Sequence, residues 1–515
     1  MSWNYDTSLE RIQHHLDNLG EIEIEKLSKE ADLNSLLTET CCREIHGAHV
    51  YFSVSNFSRL ASEDASDEDE YKRLIQALHI YERKVSRIVE DEDKFDAFRV
   101  HFQGAKLHAL LYRPIDKTKE LAIAAFFLLL VLKDFVAKVF NPAFPSYDNF
   151  TVAGGADVGD SIGTRNGKRN DRELLFLGPC ANYAAKAIGT TGQLRLTKEL
   201  YDVLPSDLRE HCEEVENGVY QIKTLNKETL DDLLTTYDFN WDRESSRKRI
   251  DQDKEDNPLK DISYSNANEL IDLDALSIRN NKRVLGASVF GDIADFTRYI
   301  DKAETDDEKR TALRVLHVTR REMAKVLTDD YKGLRVQFQG DRVQGFFHIP
   351  KDAESEILIE AVEAAIGLQS SMELTIKKKV ADAVGLHLAV GVDIDETLVS
   401  KLGTRAHRDR ICIGKAVESA AAMEEACAGG QIGISNRVYD ALPEYLSKHF
   451  EYDEDVECYV ANNLTADKVE RAAKSAAAVA GAPAFIKSDH SGVRVSQVES
   501  ESARRIIPTR SYAEE

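Results

Sequence analysis

Four absences narrow the reading before any motif is considered. The chain of 515 residues has seven cysteines, none in a CxxC pair or a regular framework, with only Cys41 and Cys42 adjacent. That excludes a disulfide scaffold and reads as reduced thiols. Positive charge is scarce: 67 Lys and Arg face 90 Asp and Glu, a formal net charge of −23. Nucleic acid and anionic membrane would both repel such a surface, so a phosphate-bearing ligand must be met locally, by a metal ion or a few basic groups. The opening stretch, Met1 to Glu30, lacks the cationic and apolar segments of a secretory signal, so the expected location is the cytoplasm. Finally, no apolar run is long enough to span a bilayer. Leu121 to Leu132 (LAIAAFFLLLVL) is closed by Lys133 and Asp134 and reads as a buried helix.

What is present is a duplication. A chain of this length exceeds one hydrophobic core and points to two domains of roughly 200 residues each. Ala48 to Arg59 (AHVYFSVSNFSR) matches Ala287 to Arg298 (ASVFGDIADFTR) at an offset of 239, and Val100 to Leu107 (VHFQGAKL) matches Val336 to Val343 (VQFQGDRV) at 236. Leu177-Gly178 matches Ile413-Gly414 at 236, and Leu200 to Pro205 matches Val438 to Pro443 at 238. A nearly constant offset means one fold used twice. Each copy reads as strand, helix, FQG hairpin, helix, two strands, helix and a terminal strand pair, hence α+β with a mixed or antiparallel sheet covered by helices. The boundaries expected are a helical extension over 1–42, a first domain over 43–226, a polar linker over 227–280, a second domain over 281–464 and a tail over 465–515.

Two carboxylates stand out in the second copy. Asp292 follows the apolar run Val284 to Phe290, and Asp341 sits in the turn of Val336-Gln337-Phe338-Gln339-Gly340-Asp341-Arg342. Hard oxygen ligands on adjacent strand ends can hold Mg²⁺ or Mn²⁺ together with phosphate oxygens. The segment Ala294 to Thr297 then turns into a helix whose N–H groups can face a phosphate.

These residues carry a resemblance. FGDIADFT, QGDRVQGFF and the later IGKAVESA resemble the class III adenylate/guanylate cyclase catalytic domain, and the repeats together cover most of the chain. The resemblance implies two tandem ferredoxin-like domains forming an intramolecular pseudo-heterodimer. It implies two metal ions, Mg²⁺ or Mn²⁺, at Asp292, Asp341 and the Ile293 carbonyl, with Phe296 and Thr297 near the triphosphate. The family's second partner donates an Asn and an Arg in the pattern GxxVNxAxR.

Here each copy lacks what the other keeps. In the second, Glu418 and Ala422 replace the Asn and Arg; in the first, Asn182 is retained and Lys186 stands for Arg, but Ser53 and Ala105 replace the aspartates. The implied catalytic residues are therefore Asn182 and Lys186 from one half, working opposite Asp292 and Asp341 from the other. Arg405 and Arg408 are candidates for the triphosphate tail. The family's base-reading positions are His101 and Leu175, and neither purine code is present. With a short chain lacking receptor parts, this resembles the cyclases of bacterial Pycsar anti-phage systems. The expected substrate is CTP or UTP, the product a cyclic pyrimidine monophosphate sensed by a downstream effector without direct contact, and the working unit a monomer. The competing classes are an adenylate cyclase, a silent nucleotide-binding regulator and a phosphodiesterase or pyrophosphatase.

Overall fold

The computed structural model describes residues 1–63, 68–90, 95–145, 147–166, 173–404 and 407–479. The first half contributes strands β1 (Glu23–Lys26), β2 (Cys41–Val54), β3 (Phe98–Gln103), β4 (Lys106–Leu111), β5 (Val152–Asn166), β6 (Glu173–Leu177), β7 (Leu194–Thr197), β8 (Cys212–Glu216) and β9 (Val219–Ile222). The second contributes β10 (Tyr264–Ser265), β11 (Asn281–Ala294), β12 (Leu334–Gln339), β13 (Arg342–Phe347), β14 (His387–Thr404), β15 (His407–Ile413), β16 (Gln431–Ile434), β17 (Glu451–Asp453) and β18 (Cys458–Asn462). The two sheets run β3-β4-β2-β5-β7-β9-β8 and β12-β13-β11-β14-β16-β18-β17, the same order twice, with β1, β6, β10 and β15 attached alongside. Both are mixed: β5–β7 and β14–β16 are parallel, the hairpins antiparallel. The α+β class and the tandem arrangement expected from the repeats are those observed.

Strand periodicity explains how one sheet serves two purposes. Along β2, Ala48, Val50 and Phe52 are fully buried in the core, while the intervening His49, Tyr51 and Ser53 point to the opposite face. That face meets the other half. The apolar run forms the helix Thr118–Asp134, with Leu121, Ala122 and Ala125 to Leu132 buried against the first sheet. No described helix is long and apolar enough to cross a membrane. All seven cysteines are free thiols.

Residues 227–280, expected as a linker, hold the helices Lys227–Thr236 and Arg243–Asp256, and the latter packs on the first half. Asp253 bonds Arg83 and Arg87 at 2.9 Å. The matching helix of the first copy, Tyr5–Asn18, packs on the second half, where Arg11 pairs with the buried Glu322 at 2.6 Å and with Asp330 at 2.7 Å. Trp3 donates to Ser371 Oγ at 2.7 Å. Each repeat thus begins with a helix that docks on the other repeat. The 1–42 extension and the 227–280 stretch are equivalent elements, exchanged between halves.

Two glycines set how closely the interface helices lie on their sheets. A Cβ at Gly155 would sit 2.4 Å from the Ala184 carbonyl oxygen, and one at Gly391 would sit 2.1 Å from that of Ala420. Only glycine lets helix Pro179–Lys186, which carries Asn182, and helix Lys415–Ala426, which carries Glu418, pack this tightly.

Candidate active site between the two halves

β11 and β13 pair with Gly291 opposite Val343. The next position on β11 is Asp292, and the turn before β13 holds Gly340 and Asp341, so hairpin register brings the two carboxylates to one end of the sheet. Burial pushes the Asp292 carboxyl above its ordinary range, opposed by the Arg342 charge. Burial and then the Asp292 charge push Asp341 well above its own. Burial raises both carboxyls and the Asp292 charge adds to the shift at Asp341, so a cation placed between them would favour their ionised forms. No group of three or more His, Cys, Asp or Glu forms a cage among the described residues. The pair therefore fits hard divalent cations whose remaining ligands come from phosphate and water, not a closed structural site. Ile293 is buried in β11, and its N–H donates to Asp292.

Beyond Asp292, Asp295 takes a left-handed conformation (φ 61°) and starts the helix Phe296–Asp301. Phe296 is buried in the core and Thr297 half-buried. This short helix packs against Pro179–Lys186 of the first half, where Asn182 is half-buried and Lys186 exposed. The Lys186 charge reaches Asp301 across the boundary. The interface thereby brings the Asn/Lys helix of one copy beside the segment that follows Asp292 in the other.

His101 lies on β3 next to a bulge. Gln103 Nε2 donates to its Nε2 at 2.9 Å, and its ring stands edge-on to His108 at 5.4 Å. Burial depresses it to about 4, so it is neutral at physiological pH. Leu175 is 6% exposed and sits in an apolar cluster shared with the second half. Arg408 is exposed on β15. The hairpin that carries it is seated on the first-half helix Glu68–Glu90, where Gly403 N–H donates to His79. The structure thus brings Arg408 near His79 of the first half, whose ring feels its charge. Arg405 lies outside the described residues.

Sequence reading missed the pins that register the halves. Glu173 on β6 accepts hydrogen bonds from Arg320 Nη2 at 3.0 Å, Arg335 Nη1 at 2.8 Å and the Phe338 N–H at 3.0 Å. The mirror pin is Asp409 on β15, accepting from Arg99 Nη1 at 2.6 Å and the Phe102 N–H at 3.3 Å. Donor and acceptor lie in different halves, so no spacing within one motif signals them. The repeat offset is the only available cue, since it places Glu173 and Asp409 at equivalent positions.

The mirror site is a cavity of about 250 Å³ lined by Ser53, Lys106, Gln337, Arg342, Ile411 and Glu418, among others. Glu418, at the position of the missing Asn, accepts from Ser58 Oγ at 2.5 Å. A carboxylate faces serine here, at the position that Asn182 holds in the first half.

Comparison with known proteins gives the following similarities. Residues 286–470 match the family described as the adenylate and guanylate cyclase catalytic domain. The chain is similar to a uridylate cyclase of Pseudomonas aeruginosa, 29% identical over 96% of this chain and 97% of that protein. It is also similar to a uridylate cyclase of a Rhizobium species, 26% identical over 79% of this chain and 80% of that protein. A crystal structure of a class III adenylyl cyclase-like ATP-binding protein from Pseudomonas aeruginosa superposes with a TM-score of 0.79 at 25% identity, covering 92% of this chain and 99% of that one.

Proposed function

From a chain whose second half is a class III cyclase catalytic domain and whose two halves share that fold, we propose a cyclase that converts UTP to 3′,5′-cyclic UMP and pyrophosphate. The observation that carries this reading is complementarity. Asp292 and Asp341 come from one half, while the helix bearing Asn182 and Lys186 is supplied by the other and packs against the short helix Phe296–Asp301 that follows Asp292. The substrate base is taken from the uridylate cyclases similar to the chain along most of its length. CTP is the runner-up within the same pocket.

In the reaction the ribose 3′-oxygen attacks the α-phosphorus, the bond from that phosphorus to the bridging oxygen breaks, pyrophosphate leaves, and the hydroxyl proton passes to solvent. Asp292 and Asp341 would hold two Mg²⁺ or Mn²⁺ ions. Such ions, when bound, offset phosphate charge and acidify the hydroxyl. Asn182 orients the ribose by hydrogen bonding, and Lys186 offsets the negative charge gathering on the α-phosphate. Lysine supplies a point charge where arginine would supply a planar fork, so its hold on the phosphate is less directional. His101, neutral and partnered by Gln103, meets the base. Leu175 offers no hydrogen bond with which to select a purine. A cyclic pyrimidine nucleotide made in this way would serve as a messenger in defence against phage.

Incubating the purified full chain with ATP, GTP, CTP and UTP together in Mn²⁺, and identifying products by mass spectrometry, tests the reading. Cyclic UMP should dominate. Faster purine turnover would reject the pyrimidine substrate, and linear products alone would reject cyclisation.

A further inference from the structure

Arg342 directly follows Asp341 and so stands beside the cation-binding carboxylates proposed above. A guanidinium in that place could pair with Asp292 or Asp341 and compete with any cation. Among the described residues its ion pairs go to Glu424 and Glu425 instead, although its charge still reaches Asp292. Its plane rests over the Phe290 ring, 4.4 Å from the centroid. Its Nε lies 2.8 Å from Glu424 Oε2, and its Nη1 donates to Glu425 Oε1 at 3.1 Å. Glu424 is itself 4% exposed. A buried carboxyl group on helix Lys415–Ala426 thus lies within ion-pair distance of the cationic side chain at the start of β13.

The first half is an internal control. There the hairpin carries Lys106 in place of Arg342, opposite Ser53, and Ala105 in place of Asp341. Counted from Gly178 and Gly414, the positions of Glu424 and Glu425 are occupied by Ile188 and Gly189. Arginine and both glutamates occur together only in the copy that has the aspartates. Where there is no cation site to protect, the acidic partners are missing too.

We infer that Glu424, with Glu425, is a positioning residue that draws the Arg342 guanidinium onto Phe290 and away from Asp292 and Asp341, leaving their oxygens free for divalent cations. The inference rests on the cation-site reading above. Losing one member of the pair should release Arg342 toward the aspartates, whereas losing both members should not, since no guanidinium then remains to compete.

The test is equilibrium Mn²⁺ binding to the nucleotide-free full chain, read from the electron paramagnetic resonance signal of free Mn²⁺, with thermal unfolding run in parallel. Glu424→Gln should weaken binding at least tenfold. Arg342→Gln should bind as well as the wild type or better, and the double variant should return to within about threefold of the wild type. A wild-type chain that binds no Mn²⁺ overturns the cation site and this inference with it. Wild-type binding together with an unchanged Glu424→Gln affinity, or a double variant no better than Glu424→Gln, overturns the positioning role alone. Should Glu424→Gln fail to fold, Arg342→Gln still decides: weaker binding there would mean that Arg342 supports the site and does not compete with it.

Discussion

The two halves differ least where they bury apolar surface and most where they face each other. Ala48, Val50 and Phe52 of the first sheet and Ala287 and Val289 of the second are all buried. On the opposite faces the chemistry diverges: His49, Ser53, His101 and His108 in one, Ser288, Asp292, Gln337 and Gln344 in the other. Alternation along a strand permits this, because every second side chain can change without disturbing the core beneath. The duplication preserved a scaffold and let the facing surfaces specialise. One of the two pseudo-symmetric sites keeps both aspartates and the Asn, and the other becomes a cavity lined by Ser58 and Glu418, which share a hydrogen bond.

The largest effect should come from exchanging chemistry across that pseudo-axis. Asp292→Ala, Asp341→Ala and Asn182→Ala should each lower kcat by roughly a hundredfold or more, the usual scale for losing a charge-stabilising group. The mirror changes Ser53→Ala and Glu418→Ala should stay within about threefold of wild type on the same reasoning. Steady-state turnover of each variant decides this. A damaging Glu418→Ala beside a silent Asn182→Ala would invert the assignment of halves.

A second asymmetry lies in the exchanged helices. Arg11→Ala strips the ion pair from Glu322, whose side chain is fully buried, and should cost about 3–5 kcal/mol. Asp253→Ala leaves Arg83 and Arg87, about a quarter exposed at 24% and 25%, which can turn to water, so about 1 kcal/mol is expected. Urea unfolding midpoints measure both. Equal losses would mean that the two docking helices are energetically equivalent despite their different burial.

How much of this was legible beforehand follows the range of each interaction. The repeat offset and strand periodicity are local, so the doubled α+β fold and the nearness of Asp292 and Asp341 could be read from the motifs. The exchange of Tyr5–Asn18 and Arg243–Asp256 could not, because a polar surface helix carries no mark of which core it will dock on, and the second reads as linker by composition. Arg342 was visible in QGDRV, but its partners Glu424 and Glu425 lie on a helix far along the chain. Arg408 was expected near the triphosphate because it precedes Gly414 in sequence. The long β14–β15 hairpin that carries it packs on the first half's helix Glu68–Glu90, a contact that spacing alone does not encode.

A last comparison concerns acid sensitivity and again sets the two faces against each other. His49 is depressed to about 3 and His101 to about 4, and His108 lies well below its ordinary value, all through burial. His49 shares a hydrogen bond with His108 at 2.9 Å and another with Ser161 Oγ at 3.0 Å, while His108 stacks on Tyr51 at 4.2 Å. The mirror positions hold Ser288, Gln337 and Gln344, which do not titrate. Well above pH 6.5, the ordinary value of an unfolded histidine, these histidines are neutral whether folded or unfolded and make no pH-dependent contribution. As pH falls from there toward 4, the unfolded chain takes up protons that the folded chain refuses, so stability drops by about 1.4 kcal/mol per pH unit for each histidine. Asp157, raised to about 6 by burial, acts in the opposite sense, because its folded form binds the proton more readily than the unfolded chain does. Absolute stability curves therefore mix the two. The difference between wild type and the variant His49→Ser/His108→Gln, which installs the second half's residues, isolates the histidines. That difference should be flat well above pH 6.5 and should shift in the variant's favour as pH falls toward 4, as read from urea midpoints at stepped pH. Parallel curves over the whole range would mean that the histidine pair is not held neutral by the fold.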